Sequence, residues 1–412
     1  MAKVLIIAPN QNVFPPRNGG HLRTANLSAE IARHHDTHYL SLQRDAHTEA
    51  LAWDHARCKS IHFHYSNPIH PRSLFPRIVS TVKFRWHAQK LSAPTNSAIL
   101  SLLRDSNQLL SKEGFDCIFL ISIPPLLFQR LKKKYSIPII YDAHNVDSVL
   151  IKQQLDLQSD KKAQKALRVA YQDNIKKETT LYRYCDSTFA CSQLDKEQLD
   201  HLNQGKLSIY TIPNGVDSYT NSQHEPATAT TPNLLFCGSL DYFPNKEGLL
   251  WFHQQIWPKL KASLPSVQLT LIGRTHDQSA TSSLKDDPQI KLISAVDDVR
   301  PYYKEATVSI VPLNIGSGTR LKILESMSLG IPVISTSKGA EGIQATHGTH
   351  ITIADQALEF HDQLLKLLSD SKLRKAQSHN ARKLVEEKYD WQVIGQQADT
   401  AILQSISLFK SK

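Results

Sequence analysis

The run VSIVPLNIGSGTRLKILESMSLGIPV, residues 308–333, holds the densest set of groups able to do chemistry. An apolar stretch ends at Pro312, a glycine-bearing loop follows, and a helical pattern begins near Thr319. Small residues let backbone N–H groups approach a phosphate, and a helix N-terminus favours an anion. Gly316, Ser317, Gly318 and Thr319 are therefore candidates to cradle a diphosphate. Arg320 and Lys322 add mobile positive charge beside them. Glu325 falls on the second turn, flanked by Leu324, Met327 and Leu329, which should face the core. Its carboxylate could accept two hydrogen bonds from a ribose diol. A capped surface helix with a Glu–Lys face would produce the same string.

Four further segments sit where strands should end. Pro15-Pro16-Arg17-Asn18-Gly19-Gly20 follows the first strand. Gly19 and Gly20 could form a phosphate- or sugar-facing turn, although a tight turn needing positive φ explains them equally well. The segment does not match Gly-x-Gly-x-x-Gly, so a dinucleotide-dependent oxidoreductase is disfavoured. Tyr141-Asp142-Ala143-His144-Asn145-Val146 brings an Asp and a His to a strand end. His144 is a candidate cleft residue, against the commoner reading of a structural histidine. A metal is not expected there, because no second ligand shares a helix face at the right spacing. Ile212-Pro213-Asn214-Gly215-Val216-Asp217 is a turn whatever else it does. Phe236-Cys237-Gly238-Ser239-Leu240 ends a strand at Gly238, and Lys246 could reach a diphosphate from the following helix start.

These residues need a frame. Short apolar runs alternate with helical patterns: strands over 3–8, 115–121, 138–142, 187–191 and 208–212, with helices over 20–33, 125–135 and 147–184. The run 218–233 (SYTNSQHEPATATTPN) has no apolar periodicity and reads as a linker. Alternation then restarts with strands over 234–238, 267–273, 290–294, 307–312, 332–335 and 350–353. Helices are expected over 246–260, from about 319, and across 358–409. This order predicts an α/β protein with two doubly wound, Rossmann-like domains of mostly parallel strands, facing a cleft. Boundaries are expected at 1–217, 218–233, 234–388 and 389–412. The apolar stripe Trp391, Ile394, Ala398, Ile402 in the last segment needs a partner, which the first domain should supply.

Bulk properties narrow the partners. The 412 residues suit two domains, and 41% hydrophobic with 21% charged residues is ordinary for a globular chain. A net charge of +10 suits nucleotide phosphates or anionic lipid. Nucleic acid is disfavoured, because no zinc-finger spacing, RNP-like motif or basic arm occurs. Five cysteines with no Cys-x-x-Cys point to buried thiols in a reducing cytoplasm. No apolar run reaches a membrane-spanning length or resembles a signal core. The run 71–90 carries Arg72, Arg77, Lys83, Arg85 and Lys90 with Phe75, Phe84 and Trp86 and no acid. It is a candidate peripheral contact with the inner face of a membrane, against a solvated helix with its aromatics in the core. His34, His35, His38, His62 and His64 are expected at the surface.

Taken in order, these segments resemble glycosyltransferase family 4 and its relatives. The shared features are the Gly-Gly loop, the strand-end His, Pro-Asn-Gly-Val-Asp, a Phe-x-Gly strand, and Leu-Glu-Ser-Met-x-x-Gly-x-Pro-Val. The resemblance covers almost the whole chain and is best over 234–333. It implies the GT-B fold and metal-independent, retaining transfer from a nucleotide diphosphate sugar, UDP- or GDP-linked, to a glycan or lipid-linked acceptor. No cofactor is implied. Glu325 then binds the ribose, while Lys246 and the loop 316–320 bind the diphosphate. His144, Gly19 and Gly20 line the N-terminal side, and Asn214 in its turn borders the cleft. Two positions depart from the family: Ser317 stands where a Glu often contacts the donor sugar, and Ser239 where an Arg is common. They leave open a non-catalytic nucleotide- or glycan-binding protein; a nucleotide-sugar epimerase or hydrolase on the same fold is a further alternative.

Overall fold

The computed structural model describes residues 1–9, 18–42, 61–66, 96–123, 128–218, 231–275, 282–294, 296 and 298–412. The basic aromatic run 71–90, Pro15–Arg17, Cys58 and most of the linker 218–233 lie outside them. The chain forms two compact units, 1–213 with 394–412, and 214–393.

The first unit is built on a seven-stranded sheet, every neighbouring pair parallel. Its strands are β1 (Lys3–Ile7), β2 (Asp36–Leu42), β3 (Ile61–Ser66), β4 (Cys117–Ile121), β5 (Ile139–Ala143), β6 (Ser187–Ala190) and β7 (Ser208–Thr211). Their order is β3-β2-β1-β4-β5-β6-β7. β1 reads KVLII and buries Val4 to Ile7 completely, as a strand covered on both faces must. The helix Gly19–His34 follows, capped by Asn18, whose side chain accepts from the His21 N–H at 2.9 Å.

The second unit holds a six-stranded parallel sheet of β8 (Asn233–Cys237), β9 (Gln268–Ile272), β10 (Ile290–Ile293), β11 (Val308–Val311), β12 (Val333–Ser335) and β13 (Thr352–Ile353). Its order is β10-β9-β8-β11-β12-β13. Leu234, Phe236, Leu269, Leu271, Val308 and Ile310 form the sheet side of a continuous core. Ile323, Leu324 and Met327 of the helix Leu321–Ser328 cover it. Each sheet has one point where strand order reverses, at β1/β4 and at β8/β11. In open α/β sheets, ligands bind beyond the carboxyl ends of the strands at such points.

Several expected elements differ. β2 and β3 are absent from the sequence reading, because Asp36–Leu42 (DTHYLSL) and Ile61–Ser66 (IHFHYS) carry polar residues inside. Thr37, His38 and Ser41 are buried, and so is His35; the expectation of surface histidines fails for these two. The single helix expected over 147–184 is three pieces, Asp147–Leu157, Lys161–Glu178 and a 3₁₀ turn Leu181–Arg183. Gln158 turns extended, and Asp160 starts a new helix by accepting from the Ala163 N–H at 2.7 Å. The helix expected over 246–260 divides into Phe243–Gln255 and Trp257–Ser263, where Pro258 occupies the first turn of the second. The final helical stretch is Ala357–Ser369, Ser371–Lys388 and Trp391–Lys410.

Among the described residues no helix is long and apolar enough to cross a membrane. Cys117, Cys185, Cys191 and Cys237 are all free thiols.

Candidate active site

The carboxyl ends of β8 and β11 gather most of the expected residues of the second unit. β8 ends at Gly238, with φ of +151°, a conformation that L side chains rarely adopt. A Cβ here would lie 2.8 Å from Lys322 Nζ and 3.0 Å from Asn245 Nδ2. The absence of a side chain therefore makes room for the lysine. Behind it, a Cβ on Gly273 would lie 1.9 Å from the Gly238 carbonyl oxygen, so β8 and β9 end in a glycine-to-glycine contact.

Lys322 is not the mobile cation expected. Nζ donates to Asn245 Oδ1 at 2.8 Å and lies 4.0 Å from the Phe236 ring centroid. Asn245 is itself fixed, donating to the Ser239 carbonyl at 2.7 Å. Burial lowers the Lys322 pKa to about 7, with Cys237 and Glu325 opposing the shift and Arg320 adding to it. One turn further along the helix, Glu325 accepts from Tyr303 Oη at 3.3 Å. Burial raises the Glu325 pKa, and Tyr303 and Lys322 offset part of the rise. Lys322 and Glu325 are three residues apart and share one partly buried face of the helix. Burial pushes the Cys237 thiol up to about 12, which disfavours its thiolate form.

The glycine loop runs from β11 into this helix. Gly316 has φ of +138° and Gly318 of +73°, so both glycines are conformationally required. The helix starts at Leu321, with Arg320 in the cap position, two residues later than expected. Arg320 is also not mobile: it is buried, and its guanidinium folds back over Gly316. Nη1 donates to the carbonyls of Ser317 and of Gly318, the latter at 2.8 Å. A Cβ on Gly316 would meet Arg320 Nη2 at 2.1 Å. The arginine thus fixes the loop from inside. Ser317 and Thr319 are nearly buried beside it.

Lys246 lies in the first turn of Phe243–Gln255, next to Asn245, and its amide donates to the Tyr242 carbonyl at 3.1 Å. The helix is set close to β11, because a Cβ on Gly248 would lie 2.4 Å from the Pro312 carbonyl oxygen. Asn214 is buried, and the glycine after it packs under Trp391, whose ring would lie 2.7 Å from a Gly215 Cβ. Val216 bonds backbone-to-backbone with Tyr389 at 2.8 Å. That turn therefore has a packing role of its own.

In the first unit, Gly19 and Gly20 open the helix Gly19–His34 rather than a positive-φ turn. A Gly20 Cβ would sit 3.5 Å from His144 Nδ1, so these two expected residues are neighbours. His144 Nε2 lies 2.9 Å from Asp142 Oδ2. Asp142 is fully buried against Arg23, which donates from Nη2 at 2.6 Å and from Nε at 3.0 and 3.1 Å. Arg23 Nη1 also donates to the carbonyls of Ile212 at 2.9 Å and Pro213 at 3.0 Å. Burial alone would raise the Asp142 carboxyl, but Arg23 and then His144 hold it well below the carboxylate range. The pair ties the first helix to the ends of β5 and β7 and orients the His144 ring. Arg23, Asn245 and Tyr303 escaped the sequence reading. Only position relative to a motif, as for Asn245 beside Lys246, could have pointed to any of them.

Comparison with known proteins agrees with this layout. Residues 17–219 match the family described as Glycosyltransferase Family 4, and residues 231–370 match Glycosyl transferases group 1. An uncharacterized 44.6 kDa protein in the cps region of Klebsiella pneumoniae is 28% identical over 165 residues, 38% of this chain and 42% of that protein. The capsular polysaccharide biosynthesis glycosyltransferase CapM of Staphylococcus aureus is 28% identical over 149 residues, 33% of this chain and 37% of that one. The chain thus matches less than half the length of either relative. The structure of Anabaena HepE in complex with UDP and glucose superposes with a TM-score of 0.69 at 14% identity, covering 98% of this chain and 99% of that one. With two parallel α/β units, each reversing strand order once, and family matches spanning both, the chain belongs to the GT-B group 1 glycosyltransferases.

Proposed function

We propose that the protein transfers a sugar from a nucleoside diphosphate sugar to a glycan or lipid-linked acceptor, with retention and without a metal. The observation that carries this reading is the cluster beyond β8 and β11: Gly238, Lys322 and Glu325 beside the Gly316–Gly318 loop. A diphosphate is a dianionic leaving group whose charge grows as the glycosidic bond breaks. Preorganised N–H donors and cations stabilise that charge without reorganising, and losing one such donor typically costs about 2.7–4 kcal/mol. The 316–319 backbone, Lys322 and Lys246 supply these groups in our reading. Glu325 holds the ribose hydroxyls, and Arg320 shapes the loop from inside instead of reaching the phosphates.

In a retaining front-face reaction, the acceptor hydroxyl attacks the anomeric carbon on the side from which the diphosphate leaves. The acceptor oxygen–carbon bond forms, the carbon–phosphate oxygen bond breaks, and the hydroxyl proton passes to the departing phosphate. No carboxylate base is required. His144, oriented by Asp142, is assigned to a sugar or acceptor hydroxyl. HepE is described in complex with UDP and glucose, and CapM as a capsular polysaccharide enzyme, which supports a nucleotide-sugar donor and a polysaccharide acceptor. A cytoplasmic site with a membrane contact through 71–90 completes the proposal.

Ser317, buried, stands where the resembled family often has a glutamate, and favours one rival: nucleotide or glycan binding without transfer. Incubation with UDP-, GDP- and ADP-sugars and a glycan acceptor, followed by mass spectrometry and anomeric NMR, separates the readings. A glycosylated acceptor of unchanged anomeric configuration, formed in the presence of EDTA, is the expected result. Free sugar, an epimerised donor or binding alone would refute it.

A further inference from the structure

Outside the transfer site, a second group of side chains converges at the opposite end of the first sheet. Asp36 opens β2 and His38 lies two residues on, so both project from the same face. His38 pairs in register with His62 on β3, the edge strand. Asp36 Oδ1 is 3.7 Å from His38 Nε2 and 3.6 Å from His62 Nε2. One candidate ligand atom from each of the three residues lies within 4.8 Å of the other two. A tetrahedral ion with bonds of about 2.0–2.1 Å has ligand-to-ligand edges of about 3.3–3.4 Å. The two measured edges need only a small contraction.

We propose that Asp36, His38 and His62 bind one divalent transition cation of the zinc class, which clips the edge strand β3 to β2. Two imidazoles and one carboxylate favour such a borderline ion over magnesium or calcium.

The surroundings match a ligand set. His38 is buried, and its other ring nitrogen, Nδ1, lies 2.9 Å from His64 Nε2. With Nε2 on the ion, Nδ1–H donates to His64, which fixes the tautomer and the ring plane. Glu113 Oε2, 3.5 Å from His38 Nε2, offers a fourth ligand; a water is the alternative. Lys3 Nζ contacts this Glu113 oxygen at 2.5 Å and Asp36 through its other oxygen, Oδ2, at 3.6 Å. The lysine therefore leaves Oδ1 to the ion, and two carboxylates against one ammonium keep the site net negative. His62 is 64% exposed, so an ion has an open route in. Ring contacts, with His38 tilted against His62 at 4.7 Å between centroids and stacked on His64 at 5.1 Å, pack the group but do not require a carboxylate oxygen facing two ring nitrogens.

The test uses the full-length chain, freed of metal with EDTA and titrated calorimetrically with Zn²⁺, with Co²⁺ as a spectroscopic probe. The expected results are one ion per chain, a tetrahedral Co²⁺ absorption band and a raised melting temperature. His62→Ala, at an exposed position, should abolish all three while leaving the metal-free melting temperature unchanged. His64→Ala, which keeps all three ligands, should weaken Zn²⁺ affinity about 10- to 100-fold. His379→Ala, an exposed histidine on the helix Ser371–Lys388, should change nothing. Failure of the wild type to bind stoichiometrically, binding that survives His62→Ala, an unchanged affinity in His64→Ala, or loss of binding in His379→Ala would each overturn the proposal.

Discussion

Replacing Lys322 by Met separates what the residue does for the fold from what it does for a ligand. The side chain keeps a similar unbranched shape but loses its amine. In the folded protein burial brings the lysine from its ordinary 10.5 down to about 7. At about 1.36 kcal/mol per pH unit, that drop corresponds to a penalty of about 5 kcal/mol against the unfolded chain at low pH. Removing it is partly offset, because Asn245 Oδ1 loses its donor, at a cost of about 1–3 kcal/mol. The variant should thus be more stable than the wild type by roughly 2–4 kcal/mol at pH 6. The direction with pH is fixed by linkage. Between about 7 and 10.5 the unfolded lysine binds the proton and the folded one does not, so wild-type stability rises with pH across that window. The advantage of Lys322→Met should be full below pH 7 and vanish towards pH 10.5. Urea unfolding at pH 6, 8 and 10, followed by tryptophan fluorescence, reads this directly. A variant less stable than wild type at pH 6, or a difference independent of pH, would refute the reasoning. The same variant should bind UDP or GDP about 10- to 100-fold more weakly, a loss of about 1.4–2.7 kcal/mol per ligand.

Gly316→Ala places a Cβ 2.1 Å from Arg320 Nη2 at a φ of +138°, so it should displace the guanidinium, cost about 1–3 kcal/mol and abolish transfer; stability and product assays check it. Lys246→Ala should mainly reduce turnover, leaving the unfolding midpoint unchanged. Asp142→Ala strands a buried Arg23 and should cost about 3–5 kcal/mol, whereas the double change to Arg23→Met and Asp142→Leu should cost less; denaturant unfolding compares them. His35 has its pKa lowered by burial, with Asp399 opposing. Its neutral form is favoured in the fold, so its contribution is complete above the unfolded value of 6.5 and is lost as pH falls below it. His35→Gln should flatten stability between pH 6.5 and the acid limb of a urea-midpoint profile.

Legibility in the sequence followed burial. β1, β4 and β8 carry continuous apolar runs, Val4–Ile7, Cys117–Ile121 and Leu234–Cys237, and strands covered on both faces show that pattern openly. β2 and β3 do not: on β2 Thr37, His38 and Ser41 are buried polar residues, with Thr37 donating to the nearby His35 carbonyl at 3.2 Å, and β3 carries His62 and His64, the latter 2.9 Å from His38. The glycine loop and the Lys322–Glu325 helix face were visible as spacing. The posture of Arg320 was not, since it depends on the space that Gly316 leaves once the loop is folded. Arg23 and Asp142 are 119 positions apart, and no local pattern announces such a pair. Helix breaks at Gln158 and Ile256 were hidden because the flanking residues keep helical propensity while a cap or a proline starts the next segment.

The central claim is that the nucleotide of the donor sits on Glu325 and the loop before it. Glu325→Gln tests it with the smallest change, keeping the side-chain volume and removing only the negative charge. Calorimetric titration of wild type and variant with UDP, GDP and ADP, paired with the initial rate of sugar transfer, is the measurement. Weaker binding of the preferred nucleotide and slower transfer, with an unfolding midpoint at least as high as wild type, is the predicted result, because burial disfavours the Glu325 carboxylate in the empty site. Wild-type affinity for all three nucleotides together with a wild-type transfer rate would contradict the account and move the donor elsewhere.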